Sequence, residues 1–247
     1  MRWVNDFDPT LHDRHLMTTP ITIIIPVHNE AGFVGPALTR ICAEVEGVTS
    51  LYRIILVENG STDRTFEEAS EAAEANPRIE VIQTQEADYG QAIRTGMAAS
   101  PQEGWMVLFD IDYYSGAFIR QVIGQTGQAD AVIASKRAPG SRDDRPLIRR
   151  LATLVFNTAL RKIVGSELSD THGIKAIRSD LAHGLLPEVV SSKDLFDTEL
   201  MLRAERAGRR IVEVPIEVRE QRSARSSLLR RVPRTLKGLL ILRRILR

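Results

Sequence analysis

Two aspartates one residue apart, Asp110 and Asp112, follow the apolar run at residues 105–109. The run has the length and composition of a buried β-strand, so both carboxylates would stand where that strand ends. Two carboxylates in this position can hold a hard divalent cation, Mg²⁺ or Mn²⁺, against the oxygens of a diphosphate. The spacing alone is a weak signal, because Asp6 and Asp8 repeat it with no strand before them.

Other polar residues follow apolar runs in the same way. Residues 21–25 lead to His28, and residues 53–57 lead directly to Glu58. In parallel sheets, ligands sit beyond the carboxyl ends of the strands. We therefore expect His28, Glu58 and Asp110 to lie together at one edge of one sheet.

The elements that position these residues alternate between strand and helix patterns. Strands are predicted at 21–25, 53–57, 79–83, 105–109, 130–135, 174–177 and 210–218. Helices are predicted at about 29–46, 90–100, 118–125, 145–164 and 197–206, with a further helix after residue 62. We expect Asn29, and Ser61 or Thr62, to cap the helices that follow them. Such alternation indicates βαβ units and an α/β fold with a mainly parallel sheet.

Composition limits the class of protein. The chain of 247 residues is 43% hydrophobic and 26% charged, as is usual for a soluble globular protein. No run approaches the roughly 20 apolar residues needed to span a bilayer, and charged residues interrupt the N-terminus, so no signal peptide is predicted. The single cysteine, Cys42, excludes an internal disulfide. We expect a protein that is made and kept inside the cell.

The charge is distributed unevenly. Residues 219–247 hold ten Lys and Arg against one acid, whereas residues 1–218 hold 23 basic and 31 acidic residues. From Leu228 onward, leucines and isoleucines are interspersed with arginines, which predicts a basic amphipathic helix suited to an anionic membrane surface. Packing of this helix on the protein's own body, or on a second subunit, is the alternative. A nucleic-acid role is not expected, because the body is acidic and the tail lacks interleaved aromatic residues.

Four segments, at residues 24–30, 57–65, 89–96 and 110–112, together resemble the inverting family 2 glycosyltransferases of the GT-A fold. The similarity is greatest to the polyprenyl-phosphate (dolichol-phosphate mannose synthase-like) sugar transferases. The resemblance implies a GT-A (Rossmann-like) domain at 20–222, preceded by an extension at 1–19 and followed by the basic tail at 223–247. It also implies metal-dependent, inverting transfer of a hexose from a nucleotide-diphosphate sugar to a polyprenyl phosphate at the inner face of the membrane. Many members of the subgroup carry added transmembrane helices, but none is predicted here, so we expect a peripheral protein.

The resemblance assigns roles residue by residue. It places the nucleotide at Pro26, His28, Glu30, Glu58, Gly60, Ser61, Gly90 and Asp110. It places Mg²⁺ or Mn²⁺ on Asp110 and Asp112. It predicts that Arg137, Arg149 and Thr153 bind the acceptor phosphate. It also predicts that a loop containing Arg222, Arg225 and Ser226 lies near the diphosphate. Asp112 and Asp170 are the catalytic candidates. Asp170 is the best candidate for a general base, although an anionic phosphate acceptor needs positioning more than deprotonation.

Several departures from the family pattern keep alternatives open. Asn59 replaces the second acid of the family's turn, Tyr114 stands where a metal-binding Gln is frequent, and His28 replaces an aromatic residue. Either Arg149 or Arg150 could face the acceptor, and Asp197 could be a helix cap. The alternatives are transfer to a soluble acceptor, with the tail merely packed, or a degenerate nucleotide-binding or membrane-scaffold protein.

Overall fold

A seven-stranded sheet forms the centre of the protein. The computed structural model describes residues 18–144, 146–171, 173–218 and 238–246, without the side chains of Asp143, Arg149, Asp194 and Val218. The strands of the sheet are β1 (Ile21–Val27), β2 (Tyr52–Asn59), β3 (Ile79–Thr84), β4 (Trp105–Leu108), β5 (Ala131–Ser135), β7 (Lys175–Arg178) and β8 (Ile211–Pro215). Their order is β3-β2-β1-β4-β7-β5-β8, and β7 alone runs antiparallel to its neighbours. A separate pair joins β6 (Arg142–Asp143) to β9 (Glu217–Val218).

Helices cover both faces of the sheet. They are α1 (Val34–Glu46), α2 (Thr65–Ala75), α3 (Tyr89–Ala99), α4 (Gly116–Gly124), α5 (Leu147–Ala159), α6 (Ser179–Leu185) and α7 (Phe196–Arg206). Residues 160–164 continue α5 as one π-helical turn, and short 3₁₀ turns occupy 186–188 and 193–195. The predicted α/β class and mainly parallel sheet are confirmed. The helix α6 was not predicted.

The hydrophobic core is divided by the sheet into two layers. In β1, Ile23 and Ile25 pack toward α1, α2 and α4, whereas Ile24 packs toward α3, α6 and α7. Successive side chains of a strand point to opposite faces, so a strand covered on both faces must be apolar throughout. This requirement explains why the side chains of β1 are buried throughout, including Pro26, up to its end at Val27, two residues later than predicted.

The predicted helix caps are wrong. The N-cap of α1 is Phe33 and that of α2 is Arg64, and neither makes a side-chain cap hydrogen bond. Asn29 instead lies in the left-handed region, with φ 55°. Its backbone N–H donates to Ser61 Oγ at 2.9 Å, and its Oδ1 accepts the Thr62 N–H at 2.9 Å. The three expected caps therefore bond to one another and tie the end of β1 to the end of β2.

The last described residues pack on the body of the protein. Residues 238–245 are helical, and Leu239, Leu242 and Leu246 are buried in a cluster with Leu160 and Leu202. This contact matches the alternative of a packed tail for these residues. Among the described residues, no helix is both long enough and apolar enough to cross a bilayer.

The turn at Gly60 should be intolerant of any side chain. Gly60 has φ 62°, and a Cβ there would lie 2.9 Å from the Gln85 carbonyl oxygen. Gly127 has a similar φ of 81° but nothing within 4 Å of a Cβ. We expect Gly127→Ala to cost about 1 kcal/mol of unfolding free energy from backbone conformation alone. We expect Gly60→Ala to cost about 1–3 kcal/mol more, because the new methyl group meets backbone. Urea denaturation of both variants measures the difference, and equal losses would contradict this packing argument.

Candidate active site

The ends of β1 and β2 meet at one edge of the sheet. Val27 lies beside Glu58 in register, and His28 Nδ1 lies 2.9 Å from the Asn59 carbonyl oxygen. That oxygen can only accept, so Nδ1 carries the hydrogen, and His28 Nε2 accepts from Asn29 Nδ2 at 3.1 Å. Both ring nitrogens are thus engaged in one neutral tautomer, while the side chain stays exposed at the edge. The geometry leaves the ring of His28 available to stack on a planar ligand.

Glu58 is fully buried at this edge. Its Oε1 accepts the Ser61 N–H at 2.5 Å, whereas Oε2 has no hydrogen-bond partner among the described residues. A buried carboxylate oxygen without a donor is costly, and such an atom commonly marks a ligand position. Glu58 therefore offers an acceptor to an N–H or O–H group of a ligand held beside His28.

Asn59, which replaces an acid of the family pattern, has a structural role. It is buried, and its Oδ1 accepts the backbone N–H of Asp88 at 2.9 Å. An amide oxygen accepts this bond as a carboxylate would. The replacement thus leaves the segment leading into α3 held against the end of β2.

Asp110 and Asp112 lie at the same edge, beyond β4. Asp110 and Tyr113 exchange two backbone hydrogen bonds, of 3.2 and 3.0 Å, which close a tight turn with Asp112 inside it. The Tyr89 hydroxyl lies 3.4 Å from Asp110 Oδ1. Tyr114 packs against the hydrophobic core. The prediction that His28, Glu58 and Asp110 follow strands at one edge agrees with this arrangement.

The charges around Asp110 have opposing effects on its pKa. Burial and the neighbouring Asp112 carboxylate raise the pKa of Asp110 to about 6, and the nearby Lys175 ammonium acts against this rise. Lys175 is itself buried and pairs with the buried Asp197. The alternative that Asp197 caps α7 is therefore wrong, because its carboxylate contacts Lys175 and α7 has no side-chain cap.

The acids at this edge suit a divalent cation that shares a diphosphate. Among residues 18–144, 146–171, 173–218 and 238–246, no group of three or more acids, histidines or cysteines is arranged as a metal site. Mg²⁺ is commonly bound through one or two carboxylates, with substrate phosphates and water supplying the other ligands. Two aspartates on a turn, one with a raised pKa, fit that pattern.

A basic segment follows β5, on the other side of β7. Lys136 Nζ lies 2.8 Å from Asp170 Oδ2, and both side chains are almost fully buried. Arg137 is exposed, and its backbone N–H donates to Ser135 Oγ at 3.2 Å. The ion pair favours a role for Asp170 in holding Lys136 rather than in removing a proton, and its role as general base stays a prediction.

The remaining predicted site residues are placed as follows. Thr153 is partly buried in α5. Glu30 is buried, and its backbone N–H donates to Thr65 Oγ1 at 2.7 Å. Gly90 packs so closely on the segment before α7 that a Cβ would lie 2.6 Å from the Lys193 nitrogen. The Arg149 side chain, and Arg222, Arg225 and Ser226, lie outside the described residues.

A buried polar network beneath the basic segment was not predicted from the sequence. Ser135 Oγ and Ser169 Oγ are 2.6 Å apart, and the Ser169 N–H donates to Glu213 Oε1 at 2.6 Å. The Ser169 hydroxyl also bonds to Glu213, and Asn157 donates to the Ser169 carbonyl oxygen. The network joins α5, β5 and β8 below Lys136. The charged Glu213 inside the apolar pattern of β8 was the available signal.

We expect Glu213→Gln to lower the unfolding free energy by about 1–3 kcal/mol. The Gln amide brings an N–H₂ group toward Ser169, which already supplies two donors, so one buried donor is left unbonded. Glu80→Gln, on the exposed side of the edge strand β3, is the matched control and should change little. Urea denaturation of both variants is the measurement, and equal stability would show that the network is dispensable.

The geometry of this edge indicates a class of protein. A mainly parallel sheet carries, at one edge, a buried acceptor beside an exposed imidazole, a pair of acids suited to a cation, and a basic segment. This combination is that of an α/β protein that handles a nucleotide diphosphate. The chain matches the family described as "Glycosyl transferase family 2" over residues 22–183, more than half of its length. It belongs to that family and is a glycosyltransferase, as the resemblance in the sequence implied.

Curated relatives are similar over most of the chain. An undecaprenyl-phosphate mannosyltransferase of Micrococcus luteus is 27% identical over 84% of this chain and 87% of its own. The glycosyltransferase AglD of Haloferax volcanii is 26% identical over 80% of this chain, which spans only 32% of the AglD length.

The fold has solved counterparts. Glucosyl-3-phosphoglycerate synthase from Mycobacterium tuberculosis, in complex with Mn²⁺, UDP and glucosyl-3-phosphoglycerate, has a TM-score of 0.70 and covers 98% of this chain and 86% of its own, at 19% identity. The similarity shows that this chain has the same fold.

Proposed function

We propose that the protein transfers one hexose, with inversion, from a nucleotide-diphosphate sugar to a polyprenyl phosphate. The observation that carries the proposal is that two groups of opposite charge lie at the same edge of the sheet. These charge groups are Asp110 and Asp112 beyond β4, and Lys136 and Arg137 beyond β5. The first group suits a cation on the donor diphosphate, and the second suits an acceptor phosphate. The name of the Micrococcus relative supports the lipid acceptor.

The residues at this edge would bind different parts of the two substrates. The His28 ring and the free oxygen of Glu58 would orient the nucleotide, and the Asn29–Ser61 bond would hold those two groups together. Asp110 and Asp112 would hold Mg²⁺ or Mn²⁺, which supplies charge neutralisation for the departing diphosphate. Lys136 and Arg137 would bring the acceptor phosphate to the opposite side of the sugar, where the attacking oxygen is already anionic.

Membrane attachment belongs to this proposal. A polyprenyl phosphate is embedded in a bilayer, so the protein must reach the surface where nucleotide sugars are present, which is the inner face. We propose peripheral attachment there, to which the cations of the C-terminal tail would contribute. We propose that Arg222, Arg225 and Ser226 lie near the donor diphosphate.

The test is transfer of labelled sugar from common nucleotide sugars to polyprenyl phosphate, with and without Mn²⁺. Metal-dependent formation of a lipid-linked product is expected. Failure with every common donor, together with unchanged nucleotide binding by Asp112→Ala, would contradict the proposal. In parallel, calorimetry with UDP and GDP should show metal-dependent binding, which a degenerate scaffold would lack.

Transfer to a soluble phosphorylated acceptor is the second candidate. The observation that favours it is the packing of Leu239, Leu242 and Leu246 on the body, which withdraws those side chains from a membrane. Lys136 and Arg137 would suit any phosphate monoester. Comparing a water-soluble sugar phosphate with a short-chain prenyl phosphate as acceptor separates the two candidates.

A further inference from the structure

The helix α5 exposes an unusual apolar face. Leu147, Ile148, Leu151, Leu154 and Val155 are exposed by 76%, 65%, 56%, 47% and 47%. They recur at the spacing of one helical face, so they form one contiguous stripe. Isolated exposed apolar residues are ordinary, but a contiguous stripe of this kind marks an interaction surface.

The opposite side of the same helix is fixed to the protein. Asn157 is buried and donates to the Ser169 carbonyl oxygen, and Leu160, just beyond α5, is fully buried. Ser169 in turn contacts Ser135, which precedes the basic segment at Lys136. The apolar stripe therefore faces outward because the helix is anchored on its other side, close to the proposed acceptor site.

Cations flank the stripe. Arg150, Arg161 and Lys162 are exposed, and residues 147–165 contain no Asp or Glu. The helix at 238–245 also carries exposed apolar side chains. It exposes Leu240, Ile241 and Ile245 beside the exposed Arg243 and Arg244, and packs on the residues that follow α5.

We propose that this outward face of α5 is the surface that docks the protein on an anionic lipid bilayer. A helix with an apolar stripe and flanking cations lies in the interface of such a bilayer. A second copy of the chain suits the face less well. A two-fold contact places a patch on itself, so Arg150, Arg161 and Lys162 would approach their own copies. The proposal rests on the proposed lipid acceptor and names the element that reaches it.

A fluorescent probe on the full chain tests what covers the outward face of α5. Leu151→Cys would carry an environment-sensitive dye, and Leu51→Cys would be the control, because Leu51 is 41% exposed and precedes β2 at the opposite edge. Burial raises the pKa of the native Cys42 thiol, so that residue should label slowly. The dye at 151, and not at 51, should shift to the blue with vesicles of phosphatidylcholine and phosphatidylglycerol, and less with phosphatidylcholine alone.

Three results of that experiment would overturn the proposal. No shift at 151 on any vesicle would exclude docking through α5. A blue-shifted dye without vesicles, independent of protein concentration, would show that another segment of the chain covers the face. A shift that grows with protein concentration and ignores lipid would identify a second copy as the occupant.

A double substitution measures the contribution of the stripe. Ile148→Ser with Leu151→Ser should weaken sedimentation with anionic vesicles about 10-fold or more, because two large apolar side chains leave the interface. Leu51→Ser is the matched control and should bind as the wild type does. Transfer to a short-chain, water-soluble prenyl phosphate should be unchanged by the double substitution.

The same assays separate failure of this proposal from failure of the proposed function. Unchanged vesicle binding by the double variant, with normal transfer to the short-chain acceptor, would overturn docking through α5 alone. Docking of a wild-type protein that transfers to no prenyl phosphate would overturn the proposed acceptor and leave the docking surface standing.

Discussion

Asp112→Asn should lower kcat/KM for sugar transfer by about a thousandfold or more, the order expected when a charged group that stabilises a leaving group is removed. The two hydrogen bonds between Asp110 and Tyr113 that close the turn join backbone atoms, so the substitution should leave the turn in place. Metal-dependent binding of UDP or GDP should weaken in parallel. Steady-state kinetics and calorimetry across a Mn²⁺ titration are the measurements.

Asp180→Asn is the matched control for that substitution. Asp180 is an exposed acid near the end of β7, at the edge of the sheet away from the site, where it pairs with Arg178. Its loss should change kinetics little. Equal effects of the two variants, or metal-dependent binding retained by Asp112→Asn, would show that Asp112 holds no cation.

Removing Lys175 alone should destabilise the protein by about 3–5 kcal/mol, because it leaves the buried Asp197 carboxylate without its partner. Lys175→Met and Asp197→Leu should each show this loss in urea denaturation. The double variant should recover most of it, since two apolar side chains can replace a buried ion pair at little cost. Additive losses in the double variant would contradict this account of the pair.

The double variant of Lys175 and Asp197 also allows metal–nucleotide binding to be measured apart from the loss of folding stability. Lys175 lowers the pKa of Asp110 and Asp197 raises it, and the lysine has the larger effect, so removing both side chains should raise that pKa further. The double variant would then fold but bind the metal–nucleotide complex less well than the wild type near neutral pH. Calorimetry with UDP and Mn²⁺ on the refolded double variant is the check, and wild-type affinity would place Lys175 outside the electrostatics of the site.

The sequence predicts those parts of the fold that depend on local pattern. The apolar runs at 21–25 and 53–57 had to be buried strands, and the polar residues after them had to share an edge. Asn29 was interpreted wrongly, because the same side chain that caps a helix can hold a left-handed turn, and its partners Ser61 and Thr62 lie on another loop.

Interactions between distant parts of the chain were beyond prediction. Nothing local to Ser169 indicates that Glu213, 44 residues away, accepts two of its hydrogen bonds. The pairing of Lys175 with Asp197 depends on the antiparallel course of β7, which periodicity does not show. The sequence predicts a helix at 145–164, but the exposure of its apolar stripe is a property of the assembled fold.

The single reversed strand, β7, also works as a spacer. It lies between β4, which leads to the paired aspartates, and β5, which leads to Lys136. Neighbouring strands are about 4.8 Å apart, so the interposed strand sets the ends of β4 and β5 about 10 Å from each other across the sheet. Two strands in direct contact would leave their ends only about 5 Å apart, with little width for a sugar ring between two phosphates. In this protein, the order of the strands sets the space that is available for the transferred sugar between the donor and the acceptor.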